Sequence, residues 1–167
     1  MDLVYHGGNT YPKFTAEGFA AQYAFPFAIK ILDPQNKTGY DIGCNRPAWC
    51  LPGAIPIDPM MNEYDAMNLP NGQVDYIFSS HCLEHLDNWV KVLDYWTTKI
   101  KSQGHIYLYL PHYDQTYWRS WSNRKHIHNL KAEEIAQYFK DSGEWSHVEY
   151  TTGHDLNYSF TVVATKK

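Results

Sequence analysis

The chain of 167 residues has a formal net charge of −4, with 44% hydrophobic and 16% aromatic residues. This length predicts one domain, residues 1–167, and the aromatic content predicts a packed core rather than a disordered chain. The negative balance does not favour a general nucleic-acid surface, and no apolar run approaches the roughly 20 residues of a membrane span. No secretory apolar segment follows Met1 and no Cys-x-x-Cys pair occurs, so we expect a reducing, cytoplasmic setting.

The N-terminal part predicts a helical cap over residues 1–38. Residues 1–11 are rich in turn formers and show no clear period. From Thr15 to Leu32, apolar residues recur at helical spacing but are interrupted by Pro26. Because proline removes a helical hydrogen bond, we expect a kinked helix or two short helices here, packed at the edge of a sheet or over the mouth of a ligand site.

Three apolar runs each end at an acidic or hydroxyl residue, and in the first run a glycine follows shortly after the acid. The first run ends at Asp41 and Gly43, the second at Asp58, and the third, Val74–Ser79, at Ser80. In an open α/β sheet, ligands bind at the carboxyl ends of the strands. These runs therefore predict strands that deliver their last residues to a common site.

The connection between the first two strands is too short for a full helix. Pro47, Pro52 and Gly53 fall within it, and each disfavours a continuous helix. We expect a shortened crossover, a turn or a single helical turn, with Trp49 and Leu51 covering the sheet.

The second half predicts helices alternating with strands. A helix from Asp87 or Asn88 has a buried face that extends to Ile100 and is expected to close at Gly104. Further elements are expected at residues 105–110 (strand), 131–140 (helix), 147–152 (strand) and 159–165 (strand). The expected fold is α/β, mostly parallel with an antiparallel last strand.

Four motifs in a fixed order carry a family resemblance. The motifs are Asp41-Ile42-Gly43-Cys44, Asp58, Asp65-Ala66-Met67-Asn68-Leu69-Pro70 and Ser80-His81-Cys82-Leu83-Glu84-His85. Over about residues 39–143 they resemble the class I S-adenosylmethionine-dependent methyltransferases. The resemblance implies a Rossmann-like doubly wound sheet, S-adenosyl-L-methionine as cofactor, and methyl transfer to an oxygen or nitrogen of an unidentified acceptor.

The resemblance assigns the first motif to the methionine part of the cofactor. The backbone of Gly43, Cys44 and Asn45 would lie against it, and Asp41 would contact its amino group. The alternative for Asp41 is that it only caps the loop.

The next motifs are assigned by resemblance to the ribose and the adenine. The Asp58 carboxylate offers two acceptors to the ribose hydroxyls, or it only starts a turn. Met60 would cover the adenine, or pack in the core. Asp65 and Ala66 would hydrogen-bond to the adenine, or they belong to an exposed loop. Ser80 would face the cofactor.

Two histidines are the candidate catalytic residues. His81 follows the third strand and could act as a base, since imidazole titrates near neutral pH; its alternative is a structural histidine. His112 follows the next strand and could face the acceptor. His81, Cys82 and His85 have ligand chemistry for zinc, but their spacing matches no standard site, so we predict no metal. By resemblance, some relatives use the neighbourhood of Glu84 and His85 for a divalent ion, which leaves magnesium as the alternative.

Residues 112–130 resemble the variable segment that covers the substrate. Within them Trp118, Arg119, Trp121 and Arg124 could bind a sugar, a nucleotide or another anionic or aromatic group. The alternative is a surface lid whose aromatic residues merely pack.

The chain departs from the family pattern in the glycine loop. Asn45 replaces the second glycine and Pro47 the third. Asparagine tolerates positive φ better than most residues, so the turn can survive. Two hypotheses follow: an active methyltransferase, or an inactive methyltransferase-like binding or scaffold protein. Either one leaves a homo-oligomer open. A nucleotide-binding dehydrogenase of related architecture is disfavoured, because it requires the full glycine fingerprint at the start of a long helix.

Overall fold

The computed structural model describes residues 1–119 and 125–167. In chain order, the described elements are β1 (Leu3–His6), β2 (Asn9–Pro12), α1 (Lys13–Ala16), α2 (Ala21–Leu32), β3 (Gly39–Ile42), β4 (Ile55–Ile57), β5 (Val74–Ser80), α3 (Trp89–Thr98), β6 (Ile100–Pro111), α4 (Ala132–Asp141), β7 (Trp145–Tyr150) and β8 (Ser159–Lys166). Two short 3₁₀ turns lie at Pro47–Trp49 and Leu83–His85.

Within the described ranges, six strands form one sheet in the order β4-β3-β5-β6-β8-β7. β3 pairs parallel with β4 and β5, β5 pairs parallel with β6, and β8 is antiparallel to both of its neighbours. This confirms the predicted mostly parallel α/β sheet with an antiparallel last strand. Ile42 pairs with Ile57 and with Ser79, so the carboxyl ends of three neighbouring strands meet at one edge.

Both faces of the large sheet are covered. In β5, Tyr76 and Phe78 belong to the cluster under α2, whereas Ile77 between them belongs to the cluster under α3 and α4. Successive side chains of a strand point to opposite faces, so a run of apolar residues is needed where both faces are buried. Each side chain of this run is fully buried.

The N-terminal segment differs from the expected cap, because it begins with the hairpin β1–β2 before the helices. Gly7 and Gly8 have φ values of +56° and +85° and form its two-residue turn. Tight hairpin turns favour such positive φ angles, which glycine adopts at no steric cost. α2 then runs as one helix through Pro26, since its buried stripe still packs on the sheet.

The predicted end of α3 is wrong. The helix ends at Thr98, and Ile100 starts β6, where it pairs with Val74. Gly104 does not cap the helix; a Cβ there would lie 2.7 Å from the Asp75 carbonyl oxygen, so it serves a close approach of strands. Ile100 continued the apolar spacing of the helix, which hid the strand start.

The short crossover between β3 and β4 is confirmed. It consists of the 3₁₀ turn Pro47–Trp49 followed by Leu51, which is fully buried. Trp49 stacks on Phe19 with ring centroids 5.2 Å apart, so it packs against the N-terminal segment. In the loop that follows β4, Asp65 and Asn68 form an isolated antiparallel bridge. Among the described residues, no helix combines the length and apolar character that crossing a membrane requires.

Candidate active site

A cavity of about 570 Å³ opens at the carboxyl ends of β3, β4 and β5. Its wall is built from the loops that follow these strands, from residues 18–21 and Trp49, and from residues near His126. Most of the residues assigned to the cofactor and acceptor line it. These are Asp41, Gly43, Cys44, Asn45, Asp58, Met60, Ser80 and His81.

Asp41 lies at the floor of the cavity. Its Oδ2 accepts a hydrogen bond of 2.6 Å from the backbone N–H of Leu51, which holds the crossover against β3. Burial raises the pKa of Asp41 to about 7, and the nearby Asp58 carboxylate acts in the same direction, whereas the hydrogen bonds from Leu51 and Cys50 oppose this. Asp41 thus fixes the loop and also faces the cavity.

Gly43 is required by packing as well as by backbone angle. It has a φ of +86° and donates a 2.9 Å backbone hydrogen bond to Ile57. A Cβ at this position would lie 2.6 Å from both Cβ and Sγ of Cys82. The loop after β5 therefore presses directly against the loop after β3.

Asn45 adopts a φ of +65°, as its tolerance of the left-handed region predicted. Its backbone N–H donates a 2.9 Å hydrogen bond to Oδ2 of Asp58, and Oδ1 of Asp58 accepts one of the same length from Met60. The turn of the glycine loop is therefore kept without the second glycine. Each carboxylate oxygen of Asp58 retains a further lone pair for a ligand.

Of the three residues assigned to the adenine, only Met60 lines the cavity. Met60 is 79% exposed and lines the cavity, which rules out core packing for it. Asp65 is exposed and accepts a 2.7 Å hydrogen bond from Met67 within its own turn, and the Ala66 carbonyl accepts one from Trp96. Neither Asp65 nor Ala66 lines the cavity, and their contact with adenine stays a prediction.

Ser80 and His81 form the end of β5 on the cavity wall. The Ser80 Oγ is buried and has no hydrogen-bond partner among the described residues. His81 adopts a φ of +48°, and its Nε2 lies 2.9 Å from the Ser159 Oγ. Burial, together with the neighbouring His126 and His85, lowers the pKa of His81 well below its ordinary value. His81 is therefore neutral near pH 7, the form in which an imidazole accepts a proton.

Glu84 lies close to His81, and it is not among the catalytic or cofactor-binding residues predicted from the sequence. Glu84 is 1% exposed, and its Oε1 lies 3.7 Å from Nε2 of His126 and 3.8 Å from Nε2 of His85. Burial raises the pKa of Glu84 to about 8 and, with His85 nearby, lowers that of His126 to about 4. The Glu84-His85 motif was visible in the sequence, but nothing there indicated its contact with His126.

The structure places His112 away from the main cavity. It lines a smaller cavity of about 170 Å³, and its Nδ1 lies 3.7 Å from Asp114. Trp118 lines both cavities and stacks on His126 with ring centroids 6.0 Å apart. Arg119 lines the smaller one. The predicted contacts of Trp121 and Arg124 lie outside the described residues.

A family model described as a methyltransferase domain matches residues 22–143. The chain belongs to this family. The match confirms the family predicted from the sequence motifs and, with it, S-adenosylmethionine as the cofactor of that family. No curated protein sequence matches the chain significantly.

Solved structures of methyltransferases share the fold. A SAM-dependent methyltransferase from Archaeoglobus fulgidus aligns with a TM-score of 0.67 at 15% identity, over 92% of this chain and 98% of its own. One from Thermotoga maritima gives 0.65 at 15% identity, over 93% and 97%. The N-methyltransferase NodS from Bradyrhizobium japonicum, in complex with S-adenosyl-L-homocysteine, gives 0.62 at 12% identity, over 88% and 87%.

Proposed function

We propose that the chain transfers a methyl group from S-adenosylmethionine to an oxygen or nitrogen atom of an acceptor that binds in the same cavity. The observation that carries this proposal is the convergence of Asp41, Asp58 and His81 on one cavity at the ends of three neighbouring parallel strands. Methyl transfer needs the methyl carbon held in line with a nucleophile, and a base where that nucleophile carries a proton.

The cofactor would lie along the loop from Asp41 to Asp58. The Asp41 carboxylate would meet the amino group of the methionine part, and the two oxygens of Asp58 would accept from the ribose hydroxyls. Met60, exposed beside Asp58, would cover a face of the adenine. Asp41 and Asp58 both line the cavity, so neither side chain has to move to contact the cofactor in this arrangement.

The acceptor would lie toward Ser80, His81 and Trp118. The Oγ of Ser80 and the Nε1 of Trp118 are buried without a hydrogen-bond partner among the described residues, and both residues line the cavity. Unpaired polar groups are costly to bury, so a bound ligand that pairs with them gains affinity. Segment 112–130 would act as the cover of the acceptor. An aromatic acceptor would stack on Trp118, and a hydroxylated one would accept a hydrogen bond from its Nε1–H.

Calorimetric titration of the purified chain with S-adenosylmethionine and S-adenosylhomocysteine tests the cofactor site. We expect saturable binding of both, since the two molecules share the parts that Asp41 and Asp58 would hold. A radiolabelled methyl screen over small amines, sugars and nucleotides would then identify the acceptor. Absence of binding to either cofactor form would contradict the proposal and favour the inactive scaffold.

A further inference from the structure

The Glu84 carboxylate is buried without the partners that a buried charge requires. It is 1% exposed, and neither oxygen has a hydrogen-bond partner among the described residues. An isolated carboxylate in such a position is strongly unfavourable unless a proton or a cation neutralises it. Besides its own backbone N–H, the polar atoms near the carboxylate include imidazole nitrogens of His81, His85 and His126.

The separations around Glu84 are wrong for hydrogen bonds. Its Oε1 lies 3.8 Å from Nε2 of His85 and 3.7 Å from Nε2 of His126, beyond the usual range for N–H···O bonds. Tetrahedral ligands about 2.1 Å from one zinc ion lie about 3.4 Å from each other. The observed spacing is therefore close to that of atoms that share a metal ion.

The tautomer of His85 is also the one that a metal ligand requires. Its Nδ1 lies 2.8 Å from the carbonyl oxygen of Lys125, and because a carbonyl can only accept, Nδ1 carries the hydrogen. In neutral His85, Nε2 consequently presents a lone pair toward the Glu84 oxygen. Histidine ligands of metals typically donate their other N–H to a backbone carbonyl in this way.

We propose that Glu84, His85 and His126 bind a divalent transition-metal ion at the wall of the cavity. Their ligand atoms all lie within 4.8 Å of one another. Two imidazoles and a carboxylate form a donor set that suits zinc better than magnesium, which prefers oxygen ligands. His85 and His126 line the cavity, so a fourth position on the ion would face it.

His81 belongs beside this site rather than in it. Its Nδ1 lies 3.9 Å from Oε1 of Glu84, while its Nε2 is held at 2.9 Å by the hydroxyl of Ser159. The proposed ligands differ from the combination of His81, Cys82 and His85 that the sequence spacing argues against. The partner that completes the set, His126, comes from the segment after β6.

Metal content of the whole chain tests the proposal. The purified protein is stripped with a chelator and titrated with Co²⁺ and then with Zn²⁺. We expect about one ion per chain, with the visible absorption of tetrahedral Co²⁺ appearing and then being displaced by Zn²⁺. Glu84→Gln and His126→Ala should each weaken Zn²⁺ binding by about tenfold or more.

The matched control is the exposed pair His147 and Glu149, whose side chains lie 2.8 Å apart on β7. His147→Ala and Glu149→Gln should bind Zn²⁺ like the unmodified chain. Failure of the unmodified chain to bind stoichiometric Co²⁺ or Zn²⁺ would overturn the proposal and needs no variant. Unchanged Zn²⁺ affinity in a folded Glu84→Gln would overturn it as well. The metal readout does not depend on methyl transfer.

Discussion

The backbone N–H of Asn45 donates a hydrogen bond of 2.9 Å to the Asp58 carboxylate. This bond joins the loop after β3 to the end of β4. The residue proposed to hold the ribose therefore also fixes the loop proposed to hold the methionine part, and one substitution at Asp58 acts on both.

Replacing Asp58 by alanine should weaken S-adenosylmethionine binding by about 1–3 kcal/mol, because charged acceptors and the Asn45 anchor are lost together. Asp58→Asn keeps one oxygen acceptor and should lose less. Calorimetric titration measures both. As a control, Asp141→Ala removes an exposed acid that bonds Gln137 on α4 and should leave affinity unchanged. Equal affinity in Asp58→Ala and the unmodified chain would remove the ribose assignment.

Gly43→Ala should destabilise the chain through a steric clash. A Cβ at Gly43 would lie 2.6 Å from the Cβ and Sγ of Cys82, in addition to the strain of a φ of +86°. We expect the free energy of unfolding to fall by about 1–3 kcal/mol for such overpacking. Denaturant unfolding followed by circular dichroism measures this.

Gly72→Ala separates the clash from the strain. Gly72 has a φ of +97°, but a Cβ there would meet no atom within 4 Å. This variant should therefore lose less stability than Gly43→Ala. Equal losses would mean that the contact with Cys82 contributes nothing.

The strand ends that frame the cavity were predictable because each carries a local signal. Asp41, Asp58 and Ser80 each close an apolar run, and parallel strands bring such ends to one edge. The contact of Glu84 with His126 carries no local signal, since it depends on how the segment after β6 folds back onto the turn after β5. Spacing along one element cannot reveal a site that is completed by another.

The errors in the fold arise from ambiguous local patterns. Ile100 fits both the helical period of α3 and the start of β6, and only its pairing with Val74 decides between them. At Gly7-Gly8 the turn signal was present, but the residues of β1 are mostly exposed and neither flanking strand shows a clear alternation of exposed and buried residues. In both places, the pairing of strands decides the secondary structure that the pattern of apolar residues leaves ambiguous.

Asp41 should make stability depend on pH below neutrality. Burial raises its pKa from 3.8 to about 7 in the folded chain, so the folded state binds this proton more tightly than the unfolded state. Its contribution to the free energy of unfolding is therefore greatest below pH 3.8, falls as the pH rises toward 7, and is constant above that. Asp41→Asn does not titrate and can still accept from Leu51.

Unfolding of the Asp41→Asn variant and of the unmodified chain should be compared at several values between about pH 5 and pH 8. The unmodified chain should lose stability relative to the variant as the pH rises, with the difference levelling off above about pH 7. Parallel curves across this range would show that Asp41 is not the buried acid that titrates.

His81→Ala should lower turnover far more than cofactor affinity, because His81 lines the cavity and its lowered pKa keeps the imidazole neutral at the end where we propose that the acceptor binds. A lost general base typically reduces the rate by about 10²-fold or more. Turnover is measured with the acceptor found in the methyl screen, and affinity by calorimetry with S-adenosylmethionine. The comparison variant is His112→Ala, since His112 lies outside the main cavity. Full turnover in His81→Ala, or a larger loss in His112→Ala, would place the acceptor elsewhere.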